Sequence, residues 1–277
     1  MKNRLMAVIA LVGVACSREE PEAQPLEGYA WPATASWRMD YVSQTSRQAV
    51  PLAHYAETKT LRLVTRETGE HVLIYDSILR TSQDPEGVRV VPLTLEDTLA
   101  ISTRLGERGE IGALQAACDR ALPECAGART STVLLDLRRI SPRLGADWRL
   151  SGTAWEDTVE YSDATARGTR NSVITAYNTL GDTTIAGVKY VVLSWRALHR
   201  TFRSGRAGAL VAESPVQETG MTFIDPLRGL PVYSAWAGAI AAPPALRAAG
   251  ATGTGFRGRA YLSGTVFDSL YSREVMP

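Results

Sequence analysis

The sequence is poor in side chains that bind metals or carry out catalysis. It has three cysteines and three histidines in 277 residues, and the histidines at positions 54, 71 and 199 are scattered. A zinc site needs four ligands at close spacings, so we expect no metal. The formal net charge is +1, whereas nucleic-acid-binding domains carry a clear basic excess. The composition therefore also argues against a nucleic-acid partner.

Motifs of the common enzyme classes are missing or out of context. There is no glycine-serine elbow, no paired-histidine zinc helix and no lysine-containing phosphate loop. The segment Gly253–Gly258 matches the dinucleotide fingerprint letter by letter. That fingerprint needs a strand before it and a helix after it, but here a proline-containing loop leads into a strand-like segment. We therefore expect a protein that is not an enzyme and carries no cofactor.

Long apolar runs are also lacking, since a membrane-spanning helix needs about 20 apolar residues. The uncharged segment 229–246 is interrupted by Pro243-Pro244, and the run Leu5–Ala15 has only eleven residues. That short run follows two positive charges and ends in small residues just before Cys16. This arrangement is typical of an export signal, so we predict that residues 1–15 form a cleaved signal peptide.

The residues Val12-Gly13-Val14-Ala15-Cys16 resemble the lipobox of bacterial lipoproteins, although Gly13 stands where that family prefers leucine. The resemblance implies that Cys16 becomes a lipidated N-terminus, palmitate being a typical acyl chain. Ser17 after the cysteine implies sorting to the outer membrane, facing the periplasm. Each buried methylene contributes about 0.8 kcal/mol, so two or three chains would hold the protein on the membrane. The alternative is ordinary cleavage after Ala15, which would leave a soluble periplasmic protein.

Composition divides the rest of the chain. Residues 16–33 are rich in glutamate and proline and offer little to bury, so we expect an extended tether. A first β-rich half with a helical insert is expected at 34–125, and a second β-rich half at 126–277. Trp37-Arg38 and Trp148-Arg149 lie 111 positions apart, which agrees with either an internal duplication or a chance likeness of alternating strands.

The two remaining cysteines are Cys118 and Cys125. An even pair in an exported chain is expected to be oxidised, so we predict a disulfide between them, with free thiols as the alternative. Because the loop it closes is short, the bond would contribute about 2.5 kcal/mol. It would therefore be a local constraint on the helical insert.

Apolar and polar residues alternate with a period of two over most of the chain, which predicts strands. The turn at 66–70, between the runs 61–65 and 71–79, predicts a hairpin. Other strands are predicted at 37–41, 88–93, 131–140, 148–161, 169–178, 188–201, 220–225, 230–236 and 256–262. Helices are predicted only between Thr94 and Ala121. The expected fold is mainly β, with curved antiparallel sheets of half-barrel or sandwich type.

An exported β-rich body of this kind loosely resembles the half-barrel carriers of bacterial lipoprotein sorting and uncharacterised exported lipoproteins. The resemblance implies a concave apolar face that binds an apolar or lipidic ligand. Candidate ligand-binding residues are Tyr233, Trp236 and Ile240; a buried strand with an ordered loop is the alternative. A binder should keep a cavity, whereas an assembly lipoprotein that docks envelope proteins should have a filled core and an exposed apolar patch. A hydrolase is a remote alternative.

Two charged clusters have both a functional and a structural interpretation. An acid-free run could face lipid phosphates or be a solvated strand edge; it contains Arg196, His199, Arg200, Arg203 and Arg206. An acidic run could suggest calcium; it contains Glu156, Asp157, Glu160 and Asp163. On a strand, Asp157 would point away from Glu156 and Glu160, so the acidic cluster is expected to split across two faces.

Overall fold

The computed structural model describes residues 26–47, 50–84, 86–91, 100–116, 130–162, 169–204, 210–212, 215–241 and 251–272. Cys16 and the signal peptide lie outside these ranges, as do Cys118 and Cys125. The lipid anchor and the disulfide therefore stay predictions. No helix within the described residues has the length and apolar character needed to cross a bilayer.

The described residues form thirteen strands and two helices. The strands are β1 Thr34–Arg47, β2 Val50–Thr65, β3 His71–Asp84, β4 Gly87–Val90, β5 Ala100–Thr103, β6 Gln115–Ala116, β7 Ala154–Ser162, β8 Thr169–Ile185, β9 Val188–Ser204, β10 Leu210–Ala212, β11 Val216–Asp225, β12 Leu230–Ala241 and β13 Ala251–Leu262. The helices are α1 Thr130–Ile140 and α2 Val266–Tyr271.

All the strands belong to one antiparallel sheet in the order β6-β5-β3-β2-β1-β13-β12-β11-β9-β8-β7, with β4 beside β3 and β10 beside β9. Near the middle, β1 pairs with β13, so that Met39 lies opposite Ala260. The predicted mainly β, antiparallel fold is confirmed, and the strands form a single open curved sheet. The boundary drawn at residue 125 falls outside the described residues.

The sheet curls around α1. Asp136 of this helix accepts a hydrogen bond from Tyr75 of β3, and Arg138 pairs with Asp157 of β7 at 3.2 Å. Eight steps separate β3 from β7 in the sheet, which would be about 38 Å if the sheet were flat. Two residues of one helix turn can touch both strands only if the strands bend toward the helix. The face that carries α1 is therefore the concave face.

The main apolar core lies between α1 and the concave face. Val133, Leu137 and Ile140 of the helix are buried in one cluster with Leu61 and Trp236 of the sheet. Fully burying a side chain of this size contributes about 1.5–3 kcal/mol. Apolar contact therefore supplies much of the energy that holds α1 in the hollow.

Three cross-strand pairs on the concave face match a glycine with an aromatic ring. They are Gly220 with Trp195, Gly258 with Trp236, and Gly238 with Phe256. A Cβ atom added to any of these glycines would come within 2.3–2.4 Å of the ring opposite. Because glycine has no side chain, each aromatic ring has space to lie flat on the sheet over the glycine opposite.

The short helix α2 covers part of the opposite, convex face. Its Phe267 stacks on Tyr233 of β12 with ring centroids 4.7 Å apart, and Tyr271 stacks on the same ring at 5.3 Å. Arg259 of β13 pairs with Asp40 of β1 at 3.0 Å and lies over the Tyr271 ring. This small aromatic cluster closes one end of the convex face.

The predicted strand at 131–140 is wrong, because this segment is the helix α1. Its buried apolar residues are Val133, Leu134, Leu137 and Ile140. They recur at helical spacing, and the β-branched residues at its start fit a strand equally well. Packing in the hollow of the sheet favours the helix.

The predicted helices between Thr94 and Ala121 are wrong where the structure describes this stretch. Residues 100–116 form β5, β6 and an antiparallel bridge between Leu105 and Ile111. Gly109 has a φ of 79°, and a side chain there would meet the carbonyl of Pro142. A left-handed residue in the middle of the segment ends any helix.

The two tryptophan motifs suggested as a duplication occupy different local structures. Trp37 lies within β1, whereas Trp148 lies in a turn before β7. Both indoles donate to backbone carbonyls, Trp37 to Pro231 and Trp148 to Glu27. This pair of residues therefore does not mark equivalent positions in two half-sheets.

Candidate functional site

The three predicted ligand-binding residues all lie on β12, but they do not form one site. Trp236 is buried on the concave face, where the guanidinium of Arg139 lies 5.2 Å from the centre of its ring. Tyr233 points to the convex face and stacks on α2. Ile240 is exposed near the end of the strand. Alternation along a strand separates Tyr233 from the other two.

Little free space is left beside α1 on one side of the hollow. Between α1 and strands β8, β9 and β11 the free space is about 20 Å³, room for about one water molecule. This part of the concave face therefore holds no cavity large enough for the expected ligand. Helix α1, which the sequence pattern predicted as a strand, occupies this part of the concave face.

A line of alternating charges crosses the concave face beneath α1. Arg80 pairs with Glu57 at 2.6 Å, and Glu57 pairs with Lys59 at 2.9 Å. Lys59 in turn pairs with Asp136 at 2.7 Å. The line continues through Arg139, which lies 3.4 Å from Asp136.

At the far end of this charge line, Arg139 donates two hydrogen bonds of 2.6 and 3.0 Å to Glu218. His199 Nε2 lies 3.2 Å from Glu218. Glu218 is almost completely buried. Because the guanidinium of Arg139 donates two hydrogen bonds to it, the carboxylate of Glu218 stays charged in the interior. The line therefore connects α1 to β2, β3, β9 and β11.

Burial and pairing act in opposite directions on the pKa values of this line. Burial would raise the pKa of Glu218, but Arg139 and His199 lower it below the ordinary 4.5. The pKa of Glu57 is lowered in the same way, against burial, by Lys59 and Arg80. Burial would lower the pKa of Lys59, but Asp136 and Glu57 raise it above the ordinary 10.5. All three groups are therefore charged near neutral pH.

We expect the free energy of unfolding to fall at both ends of the pH scale. Glu57 and Glu218 stabilise the fold above pH 4.5, and this stabilisation is lost as the pH falls through their lowered folded pKa values. Lys59 stabilises below pH 10.5 and loses its effect as the pH rises through its raised value. Urea unfolding measured from pH 3 to pH 11 by tryptophan fluorescence checks this. A flat profile across both limits would contradict it.

An open trough of about 940 Å³ lies on the convex face. Two cross-strand rows of side chains form it, and the register of β9, β11, β12 and β13 aligns them. One row contains Arg196, Thr219, Ala237 and Arg257. The second row contains Ser194, Met221, Ala235 and Arg259. The rows are about 7 Å apart because they differ by two residues along each strand.

The floor of the trough is largely backbone. Tyr177, Trp195 and Trp236 border it, but strand alternation places their rings on the concave face. Met221 stays 44% exposed within the trough although it is large and apolar. With Ala154, Ala176 and Asn178 extending it over β7 and β8, the trough crosses six strands.

The charged clusters divide as strand alternation requires. Asp157 faces α1 and pairs with Arg138, whereas Glu160 pairs with Arg170 on the exposed side of β8. The expected split of the acidic cluster is confirmed for the residues that the structure describes. In the basic run, Arg196 belongs to the trough and His199 to the buried charge line. Arg206 and Asp163 lie outside the described residues.

Sequence reasoning missed the trough, although β12 carries a signal for it. Alanine recurs at positions 235, 237, 239 and 241, every second residue of an uncharged strand. Such spacing puts only small side chains on one face of the strand after Tyr233. Its neighbours in the trough come from strands distant in the sequence, so the alanines alone did not indicate a site. No three His, Cys, Asp or Glu side chains of the described ranges cluster as a metal site requires.

No protein-family model matches the sequence, and the search of curated proteins found no match. Three similar solved structures are of lipid-associated proteins or lipoproteins. A structure of lipid–protein interactions in lipovitellin has a TM-score of 0.40 and 12% identity, over 84% of this chain and 25% of that one. The chain thus spans about a quarter of the lipovitellin chain.

A candidate lipoprotein from Parabacteroides distasonis has a TM-score of 0.30 and 9% identity, over 85% of this chain and 97% of that one. The hypothetical lipoprotein YmcC from Escherichia coli has a TM-score of 0.24 and 10% identity, over 83% and 87%. All three TM-scores lie below 0.5. They therefore establish neither a shared family nor a shared function.

Proposed function

We propose that this chain is an exported, non-catalytic lipoprotein of the bacterial envelope that holds an apolar or lipidic ligand. The N-terminal pattern ending at Cys16 supports the export and the anchor. The trough on the convex face carries the binding proposal, because it is large, open and lined mainly by small side chains. The ligand site thus moves from the concave face to the convex one.

The shape of the trough fits an extended chain. Its strands from β8 to β13 are separated by four steps of about 4.8 Å, which gives a length near 20 Å. The Ala235 and Ala237 side chains leave the floor low, and Tyr233 and Met221 form an apolar wall. A methionine can adapt its shape to an apolar partner at little cost. One extended acyl chain would lie across the strands here.

Filling the trough should remove the ligand. Ala237→Trp places a large ring between Arg196 and Arg257, at a position that is exposed and therefore tolerates it. We expect about tenfold less non-covalent lipid on the purified protein, equal to roughly 1.4 kcal/mol of binding energy. Solvent extraction followed by mass spectrometry measures it, because chains bonded to Cys16 stay on the protein.

The matched control is Ala53→Trp, which puts the same ring at an exposed alanine of β2 outside the trough. It should retain the wild-type amount of lipid. If neither the wild type nor the control carries lipid, the binding proposal is wrong. That outcome would favour the second candidate.

The second candidate is an assembly lipoprotein that docks other envelope proteins. The small free space beside α1 favours it, as does an apolar patch on β3 and β4 formed by Leu79, Val88 and Val90, which are 57%, 68% and 70% exposed. Large exposed apolar side chains in one patch are typical of protein contact sites. The trough extends over six strands and the patch over two, so we place this function second.

A further inference from the structure

We propose that the ligand of the trough is an anionic amphiphile, a single acyl chain ending in a negatively charged head group that Arg196 binds. This inference rests on the proposed function and adds the chemical class of the ligand. It follows from the distribution of charge around the trough. The occupant is a lipid monomer, with the chain on the alanine floor and the head group at the β9 side.

The charge of the trough is of one sign. Among its lining residues are Arg196, Arg257 and Arg259, and none of the lining residues is Asp or Glu. Arg259 is neutralised by Asp40 at 3.0 Å. Arg196 is exposed on β9, and no carboxylate of the described residues pairs with it. An exposed guanidinium beside an apolar floor is complementary to an anionic head group that continues into an apolar chain.

The register places Arg196 where the head group of such a ligand must lie. Arg196, Thr219 and Ala237 stand side by side on β9, β11 and β12. From Arg196 to Arg257 there are three strand steps, about 14 Å, and only Thr219 and Ala237 lie between them. The side chain of Arg196 can therefore reach over the trough without meeting a bulky neighbour, and the Thr219 hydroxyl is the adjacent polar group.

The side of the trough toward α2 presents apolar side chains beside the paired Arg259. Met221 and Tyr233 stand on the side of the trough toward α2, and Tyr233 is fixed there by its stacking on Phe267. A rigid aromatic ring and a flexible thioether suit a hydrocarbon chain better than a second head group. The one arginine of this second row, Arg259, is paired with Asp40, so the unpaired cation of the trough is Arg196 in the first row. An unpaired cation on one side and the apolar Met221 and Tyr233 on the other match an amphiphile.

The test compares chain-matched probes on the intact protein. Isothermal titration with dodecyl phosphate, below its micelle concentration, should show binding that Arg196→Gln weakens about tenfold, since an arginine–phosphate pair contributes at least 1.4 kcal/mol. Dodecyl maltoside, which has the same chain and no charge, should bind wild type and Arg196→Gln equally. Inorganic phosphate alone should not compete at millimolar concentration.

Arg66→Gln is the matched control, because it removes one exposed positive charge that pairs with Glu70 in the β2–β3 turn, away from the trough. It should bind dodecyl phosphate like the wild type. Equal loss in both variants, no loss in Arg196→Gln, or competition by inorganic phosphate would each overturn the anionic-lipid inference. If neither probe binds the wild type, the proposed function fails as well, so the two failures are distinguishable.

Discussion

Asp136→Asn should lower the free energy of unfolding by about 3–5 kcal/mol, the usual cost of breaking a buried ion pair. Asp136 is 2% exposed and accepts from Tyr75 at 2.6 Å while it pairs with Lys59 at 2.7 Å. The amide keeps the shape but removes the charge that balances Lys59 and Arg139. Lys59 and Arg139 would stay buried but would lose one of their carboxylate partners. The contacts that stabilise α1 in the hollow would therefore be weaker.

Urea unfolding at pH 7, followed by tryptophan fluorescence, measures this effect. The control is Glu70→Gln, which removes the partner of Arg66 in an exposed pair and should change stability by less than about 1 kcal/mol. A loss no larger than that in Asp136→Asn would show that the charge line contributes little to the fold. Circular dichroism of the folded variant separates local loosening of α1 from global unfolding.

Gly258→Ala should destabilise the protein by about 1–3 kcal/mol, although alanine normally suits a strand better than glycine. The added methyl group would lie 2.3 Å from the Trp236 ring, closer than carbon atoms approach. The ring would have to lift from the sheet. Since Arg139 lies over that ring, the disturbance would reach α1 and the charge line.

Gly255→Ala is the control within the same strand, because nothing lies within 4 Å of its added methyl group. It should be neutral or slightly stabilising. Combining Gly258→Ala with Trp236→Leu should restore part of the loss, as the smaller side chain vacates the contested space. If Gly258→Ala alone is neutral, the ring is not confined by the sheet as described. Thermal unfolding of the four proteins gives the comparison.

Local sequence patterns predicted the strands because a strand's faces are set by its own residues. The alternation around Arg66–Glu70 gave the β2–β3 hairpin, and the spacing of Glu156, Asp157 and Glu160 gave their opposite directions. Such features depend on neighbours within a few residues. They therefore do not depend on contacts with distant parts of the chain.

For segment 131–140, the local sequence pattern does not decide between a strand and a helix. Its apolar residues satisfy both a helical and an alternating pattern, and apart from their contact with each other Asp136 and Arg139 have their partners far away in the sequence. The partners lie on β2, β3 and β11, 61 positions away for Tyr75 and 79 for Glu218. Burial of Asp136 and Arg139 beside Lys59 and Glu218 becomes favourable only when the sheet has curled. That burial stabilises the helix.

The sequence by itself determined the antiparallel β character and the facing of individual side chains, since each depends on short stretches of chain, and it carries the pattern at Cys16 from which export is predicted. The tertiary structure decided that α1 lies on the concave face and that a trough with Arg196 at its rim opens on the convex one. Both depend on strands paired across more than 200 residues, as Met39 is with Ala260. No local propensity encodes the register of such distant partners; it emerges when the whole sheet buries its core at once.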